Sequence, residues 1–339
     1  MFKKSSLTVL SIMTAAFTLT GCGAKTTTDT SAPSVKKSDR MSIVCTIFPE
    51  YDWVREVMGD HVGEADITYL LDSGTDLHNY QPTASDMLKI STCDLFIHVG
   101  GESDKWVDDA LDEAVNKDMK VIDLMELLGD KAKVEELKEG MQEEEHDHDD
   151  DEDEEEEHEE VEYDEHVWLS LRNAKLICTE IANVLSENDP KNAEDSKSNL
   201  ADYTLKLDSL DNELEEITSN AQNKTLIFGD RFPFRYFCDD YGIDYYAAFV
   251  GCSAESEASF ETINFLARKL DELGCDTIFT LENSDKSIAE AVIRNSGNKN
   301  CEIGVLDSIQ SITANDVKSG VSYLSLMQQN YDVLKKYID

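Results

Sequence analysis

The sequence predicts an α/β protein of two lobes. Each lobe has a roughly four-stranded, mostly parallel sheet flanked by helices, and a long rigid helix joins them. Three observations carry that expectation. Short apolar runs alternate with helical patterns, which favours parallel strands linked by crossover helices. The alternation occurs twice, once on each side of a helical middle segment. That segment carries a narrow apolar stripe of Leu200, Tyr203, Leu207, Leu210, Leu214 and Ile217, spaced alternately by three and four residues.

In chain order, "MFKK" is a short basic start, and "LTVLSIMTAAFTL" is apolar but too short to span a bilayer comfortably. "LTGC" at 19–22 then looks like a lipoprotein cleavage box, with Cys22 as the acylated residue. An ordinary secretory signal with an incidental cysteine is the alternative. Residues 1–21 are therefore expected to be a lipoprotein signal peptide. Residues 22–40, rich in Ser and Thr, are expected to be a flexible tether. The first lobe, 41–141, has strand-like runs at 41–48, 65–71, 94–100 and 120–124, with helical patterns at 50–58, 84–92 and 103–117 between them. Residues 142–165 form an acidic, histidine-containing loop. Connecting helices are expected over 166–219, with Asp189 and Pro190 as a cap and first-turn proline for the long one. The second lobe, 220–339, repeats the pattern. Its strands are expected at 225–229, 243–249, 277–282 and 302–306, and its helices at 257–273, 285–296 and 321–337.

Composition limits the partners. The chain has 72 acidic and 30 basic residues, a net charge of −42. This excess argues against nucleic acid, whose phosphates require Lys and Arg. It argues equally against anionic lipid as an electrostatic partner, and it suits a cationic ligand. Between 143 and 165, 18 of 23 residues are acidic, and His146, His148 and His158 are interspersed among them. Such a block repels itself and cannot form a core. It is a solvated insert on one reading and a weak collector of divalent metal on the other. Seven cysteines follow Cys22, with no CxxC spacing, so a zinc ribbon is excluded. Most lie in apolar runs and are expected to be small core residues; one disulfide in the C-terminal half stays open.

Ligands of open α/β sheets bind beyond the carboxyl ends of the strands. Four polar residues are expected there: His78 after the second strand, His166 at the entry to the connecting helices, Asp230 after the first strand of the second lobe, and Asp307 after its last strand. Neutral imidazole with ionised carboxylate suits Zn²⁺ or Mn²⁺. His98, inside an apolar strand, reads as a core or supporting residue, and His61 as a solvated turn residue.

Seven short stretches occur in an order that carries a resemblance: "FPEYDWVREVMGD", "GTDLHNYQPTASDM", "VGGESDKWVDDAL", "DEHVWLSLRNAK", "FRYFCDDYGI", "VLDSI" and "YLSLMQQNYDVLKKYI". Over 41–339 the chain resembles the metal-binding lipoproteins of zinc and manganese ABC importers, the cluster A-I solute-binding proteins. That resemblance implies one transition-metal ion held between two lobes, a permease and its ATPase as partners, and a monomer anchored by lipid to the outer face of a bacterial cell membrane. It implies no enzymatic activity. His78 matches the histidine of D-P-H-x-Y-x-P-T, with Leu77 in place of Pro. His166 matches that of D-P-H-x-W-L, with Glu165 in place of Pro. Asp307 matches the aspartate of L-D-P, with Ser308 in place of Pro. At the family's remaining ligand position, His in zinc importers and Glu in manganese importers, this chain has Arg231. Arginine only donates and cannot ligate a cation. Asp230 one residue away, Glu255 or Glu257, or a water takes that place. The acidic loop favours Zn²⁺, and a second carboxylate favours Mn²⁺. Two rivals remain: a secreted metallohydrolase, for which no HExxH or nucleophile elbow is present, and a surface metal buffer or adhesin.

Overall fold

The structure, a computed structural model, describes residues 40–142, 162–253 and 257–338. The proposed signal peptide, tether and Cys22 lie outside the described residues, as do His146, His148, His158 and Glu255.

The first lobe contains β1 (Met41–Cys45), α1 (Phe48–Met58), β2 (Ala65–Tyr69), α2 (Ala84–Thr92), β3 (Leu95–His98), α3 (Trp106–Asp112), β4 (Lys120–Asp123) and α4 (Leu124–Leu128). Two helices follow, α5 (Leu171–Asn188) and α6 (Ala193–Asn220). The second lobe contains β5 (Thr225–Phe232), α7 (Arg235–Tyr241), β6 (Asp244–Val250), α8 (Phe260–Leu273), β7 (Thr277–Leu281), α9 (Ser287–Asn295), β8 (Glu302–Leu306), α10 (Ala314–Lys318) and α11 (Tyr323–Tyr337). Both sheets are wholly parallel and share one strand order, β2-β1-β3-β4 and β6-β5-β7-β8.

Side-chain alternation explains the layering of the second sheet. Along β5, Leu226 and Phe228 join the large core shared with the first lobe and the connecting helices, while Ile227 faces a smaller core with Leu266, Ile278 and Val292. The stripe on α6 is as expected: Tyr203, Leu207, Leu210 and Leu214 are buried. With 28 residues, α6 is about 42 Å long. It packs along α5, against α1 of the first lobe and against α7 and α11 of the second, so one rod braces both lobes.

Further ties join the lobes. The backbone N–H of Tyr323, at the start of α11, donates to Asp52 of α1 (2.8 Å), and its ring meets Trp53 edge-on with centroids 5.0 Å apart. Tyr69 donates to the Ile312 carbonyl at 2.8 Å. Residues 133–142 leave the first lobe and bond along the second: Lys133 N–H donates to the Tyr236 hydroxyl and Gln142 N–H to the Ala248 carbonyl, each at 2.9 Å. No periodic pattern in the sequence marks that excursion. All seven cysteines after Cys22 are free thiols, so the disulfide left open does not form. His61 is clasped between Glu64 and Asp195 of α6, at 3.0 Å from each, rather than merely solvated.

Glu50 is fully buried in α1 and accepts from the backbone N–H of Thr46 (2.8 Å) and Ile47 (3.3 Å). Burial, and then the charge of Asp104, push its carboxyl from 4.5 up to about 8. The folded state therefore holds this proton more tightly than the unfolded chain. The stabilisation is complete below pH 4.5 and is lost as pH rises through about 8. The shift sets a ceiling of about 5 kcal/mol. Melting temperature is expected to fall between pH 6 and pH 9, and Glu50→Gln to flatten that dependence; parallel thermal melts across the range check it.

Candidate metal centre

The loop after β2 places His78. Asp76 begins a single 3₁₀ turn and accepts from the backbone N–H of His78 at 3.1 Å, fixing where the ring starts. On the opposite wall, His166 is fully buried at the entry to the connecting helices. Asp164 Oδ1 accepts from its backbone N–H (2.8 Å) and faces its Nδ1 (2.9 Å). A carboxylate oxygen there requires the proton on Nδ1, which leaves the Nε2 lone pair free. His78 Nδ1 lies 2.7 Å from Ser103 Oγ and 3.5 Å from Glu165 Oε2.

The two Nε2 atoms face each other at 3.2 Å. In a tetrahedral site with Zn–N bonds of about 2.0–2.1 Å, two imidazole nitrogens are roughly 3.3 Å apart. The pair is thus spaced as two ligands of one ion. Burial, and then the neighbouring His166, hold the His78 imidazole down to about 3, so it is neutral and able to ligate at physiological pH. Asp164→Ala is expected to lower Zn²⁺ affinity by about 10–100-fold through loss of the tautomer lock. A chelator-competition titration beside a melting curve of the metal-free variant checks this.

The expected carboxylates do not join this pair. Among the described residues, the cluster whose ligand atoms all lie within 4.8 Å of one another is His78, His166 and Cys252. Asp230 is taken up elsewhere. The strand β5 runs three residues further than the sequence suggested, to Phe232, with an irregularity between Phe228 and Arg231. In that irregular stretch, Asp230 Oδ2 accepts from the Leu281 N–H (3.1 Å) and Oδ1 from the Arg231 N–H (2.9 Å), stitching β5 to β7. Asp307 Oδ1 accepts from the Ile309 N–H at 2.8 Å. Burial, and then Glu282, push its carboxyl up to about 7. Glu257 is exposed. Arg231 reaches across the cleft to Asp76 at 2.8 Å, and so ties the second lobe to the loop that carries His78.

Cys252 is the residue that the sequence reading passed over. It follows β6 at its carboxyl end, the place where ligands of such sheets bind. That position, rather than any cysteine spacing, was the available signal. Its N–H donates to Glu135 Oε1 at 3.1 Å. The surrounding cleft is lined by His78, Glu102, Glu135, Glu162 and Glu165, a strongly acidic wall.

The chain is similar over most of its length to proteins of known type. It is 31% identical over 305 residues to the zinc-binding lipoprotein AdcA of Streptococcus pneumoniae, covering 90% of this chain and 57% of that protein. It thus spans little more than half of that relative. It is 29% identical over 335 residues to the high-affinity zinc uptake system protein ZnuA of Bacillus subtilis, covering 99% and 98% of the two chains. The crystal structure of the Zn(II)-bound ZnuA-like domain of Streptococcus pneumoniae AdcA superposes with a TM-score of 0.67 at 27% identity, over 88% of this chain and 99% of that one. A family model described as ZnuA, zinc-uptake complex component A periplasmic, matches residues 43–337, and the chain belongs to that family.

Proposed function

We propose that this chain captures Zn²⁺ outside the cytoplasm and hands it to an ABC importer. The observation that carries the reading is the pair of Nε2 atoms 3.2 Å apart, with Cys252 of the second lobe beside the two rings. The names of the relatives support the choice of ion. His78 and His166 are the imidazole ligands. Asp307 is the carboxylate of the second lobe, drawn in as the ion binds, since its oxygens start outside the histidine cluster. Asp230 is left out of the set because backbone N–H groups hold both of its oxygens. Zinc is the cargo, and the protein performs no covalent step on it. A permease with its ATPase receives the ion, and an acylated Cys22 keeps the monomer at the outer face of the membrane.

The acidic segment is an accessory collector. Its ends are anchored on the two sides of the site: Gln142 at the β6 edge, and Glu162 in the wall of the histidine cleft. Carboxylates with His146, His148 and His158 would raise the local concentration of divalent ions beside the cleft.

The test is a thermal melt with and without metal. A ligand at a thousand times its Kd stabilises by about 4 kcal/mol. Zn²⁺ is expected to raise the melting temperature far more than Mn²⁺ does, in the full chain and in a variant lacking 143–161. No shift with Zn²⁺ overturns the reading. A shift that disappears with the acidic segment makes the protein a surface metal buffer instead.

A further inference from the structure

We propose that Cys252 supplies a thiolate to the ion held by His78 and His166, which makes the cleft selective for thiophilic cations of the Zn²⁺ type over Mn²⁺. The inference rests on the capture reading above and names the third ligand of the same site.

Geometry carries it. The Cys252 sulfur and one ring nitrogen of each histidine all lie within 4.8 Å of one another. With Zn–S near 2.3 Å and Zn–N near 2.05 Å, a tetrahedral site needs roughly 3.5 Å between sulfur and nitrogen. The sulfur is therefore at most about 1.3 Å farther than that from one nitrogen of each ring, a gap within the range of a side-chain adjustment.

The backbone is shaped for this approach. A Cβ on Gly251 would sit 3.0 Å from Cε1 and 3.1 Å from Nδ1 of His166, and 2.9 Å from the Phe232 carbonyl oxygen. Only glycine lets the chain pass this close to the imidazole without displacing it. The next residue, Cys252, then opens on the cleft. It is half-buried, whereas Cys45, Cys93, Cys178, Cys238 and Cys301 are buried.

The cleft wall behind His78 is acidic: Glu165 is 1% exposed, and its Oε2 lies 3.5 Å from His78 Nδ1. On binding, the thiol proton leaves to solvent as the sulfur–metal bond forms. Thiolate and imidazole are donors that Zn²⁺ prefers, and Mn²⁺ favours carboxylate and water.

The experiment loads Co²⁺ alone into the purified full chain and records its near-ultraviolet and visible absorption. A sulfur-to-cobalt charge-transfer band is expected in the wild type. Cys252→Ser is expected to lose that band and to lower Zn²⁺ affinity by at least about 100-fold, more than the loss of an outer partner costs. Its Mn²⁺ affinity falls far less than its Zn²⁺ affinity, its metal-free melting temperature stays within error of wild type, and Cys275→Ser keeps the band. No charge-transfer band in the wild type, or a band that survives Cys252→Ser, overturns the thiolate. The two readings fail differently. If His78→Ala loses zinc binding and Cys252→Ser does not, capture stands without the thiolate. If His78→Ala binds zinc normally, the capture site itself is wrong and the thiolate falls with it.

Discussion

Removing the His78 imidazole is expected to weaken Zn²⁺ binding by on the order of 10³-fold or more, about 4 kcal/mol. Loss of a partner one bond removed from a metal already costs about 10–100-fold. A lost ligand costs more, because the ion then loses a direct bond rather than a supporting one. The other contacts of His78 are to the Ser103 hydroxyl, to the buried Glu165 carboxylate 3.5 Å from its Nδ1 and, through its backbone, to Asp76. His166→Ala is expected to abolish tight binding as well, but at a structural cost. His166 is fully buried, and its removal leaves the Asp164 carboxylate facing an empty space. His78→Ala is therefore the cleaner variant. Chelator competition on the metal-free proteins measures both, and a His78→Ala protein of unchanged affinity contradicts the assignment.

The second large effect is on stability. Trp168 is completely buried two residues after His166, and three contacts converge on it. Its Nε1–H donates to the Ser308 carbonyl at 2.9 Å, its own carbonyl accepts from the Tyr323 hydroxyl at 2.7 Å, and its ring centroid lies 5.2 Å from that of His166. The residue thus ties the helix entry to the strand end that carries Asp307 and to the start of α11. Trp168→Ala is expected to cost about 3–5 kcal/mol through the cavity and the lost contacts. Trp168→Phe keeps most of the packing but leaves the Ser308 carbonyl without its donor, at about 1–3 kcal/mol. Urea unfolding checks both as a lowered midpoint at unchanged slope. A Trp168→Ala midpoint within error of wild type contradicts the role given to this residue.

Much of the fold was legible because its signals are local and periodic. The 3-4 spacing on α6 predicted both its length and the face it buries, and the eight strands lie where apolar runs end in turn residues. His78 was singled out by its place in the loop after the second strand and His166 by its place at the entry to the connecting helices, each beside a matching motif, and the structure brings their Nε2 atoms to 3.2 Å. What failed depends on contacts distant in sequence. Nothing local announces that β5 continues through an irregularity and turns Asp230 towards Leu281. Nothing in residues 133–142 shows that they cross to the second lobe, since they follow its edge without a period of their own. Cys252 was missed because cysteines are judged by spacing to other cysteines, and its partners are two histidines 174 and 86 residues away along the chain. Arg231 was the informative mismatch. It removed a ligand from the expected set, and the structure gives it a different task, pairing with Asp76 across the cleft.

The central claim is that one zinc ion sits between His78 and His166. Anomalous diffraction at the zinc edge tests it most directly, on crystals of the protein grown with one equivalent of Zn²⁺. The expected map has one strong peak about 2.0–2.1 Å from both Nε2 atoms, with the Cys252 sulfur about 2.3 Å from the same peak. A peak anywhere else in the molecule, or none while the two Nε2 atoms stay in direct contact, contradicts the account.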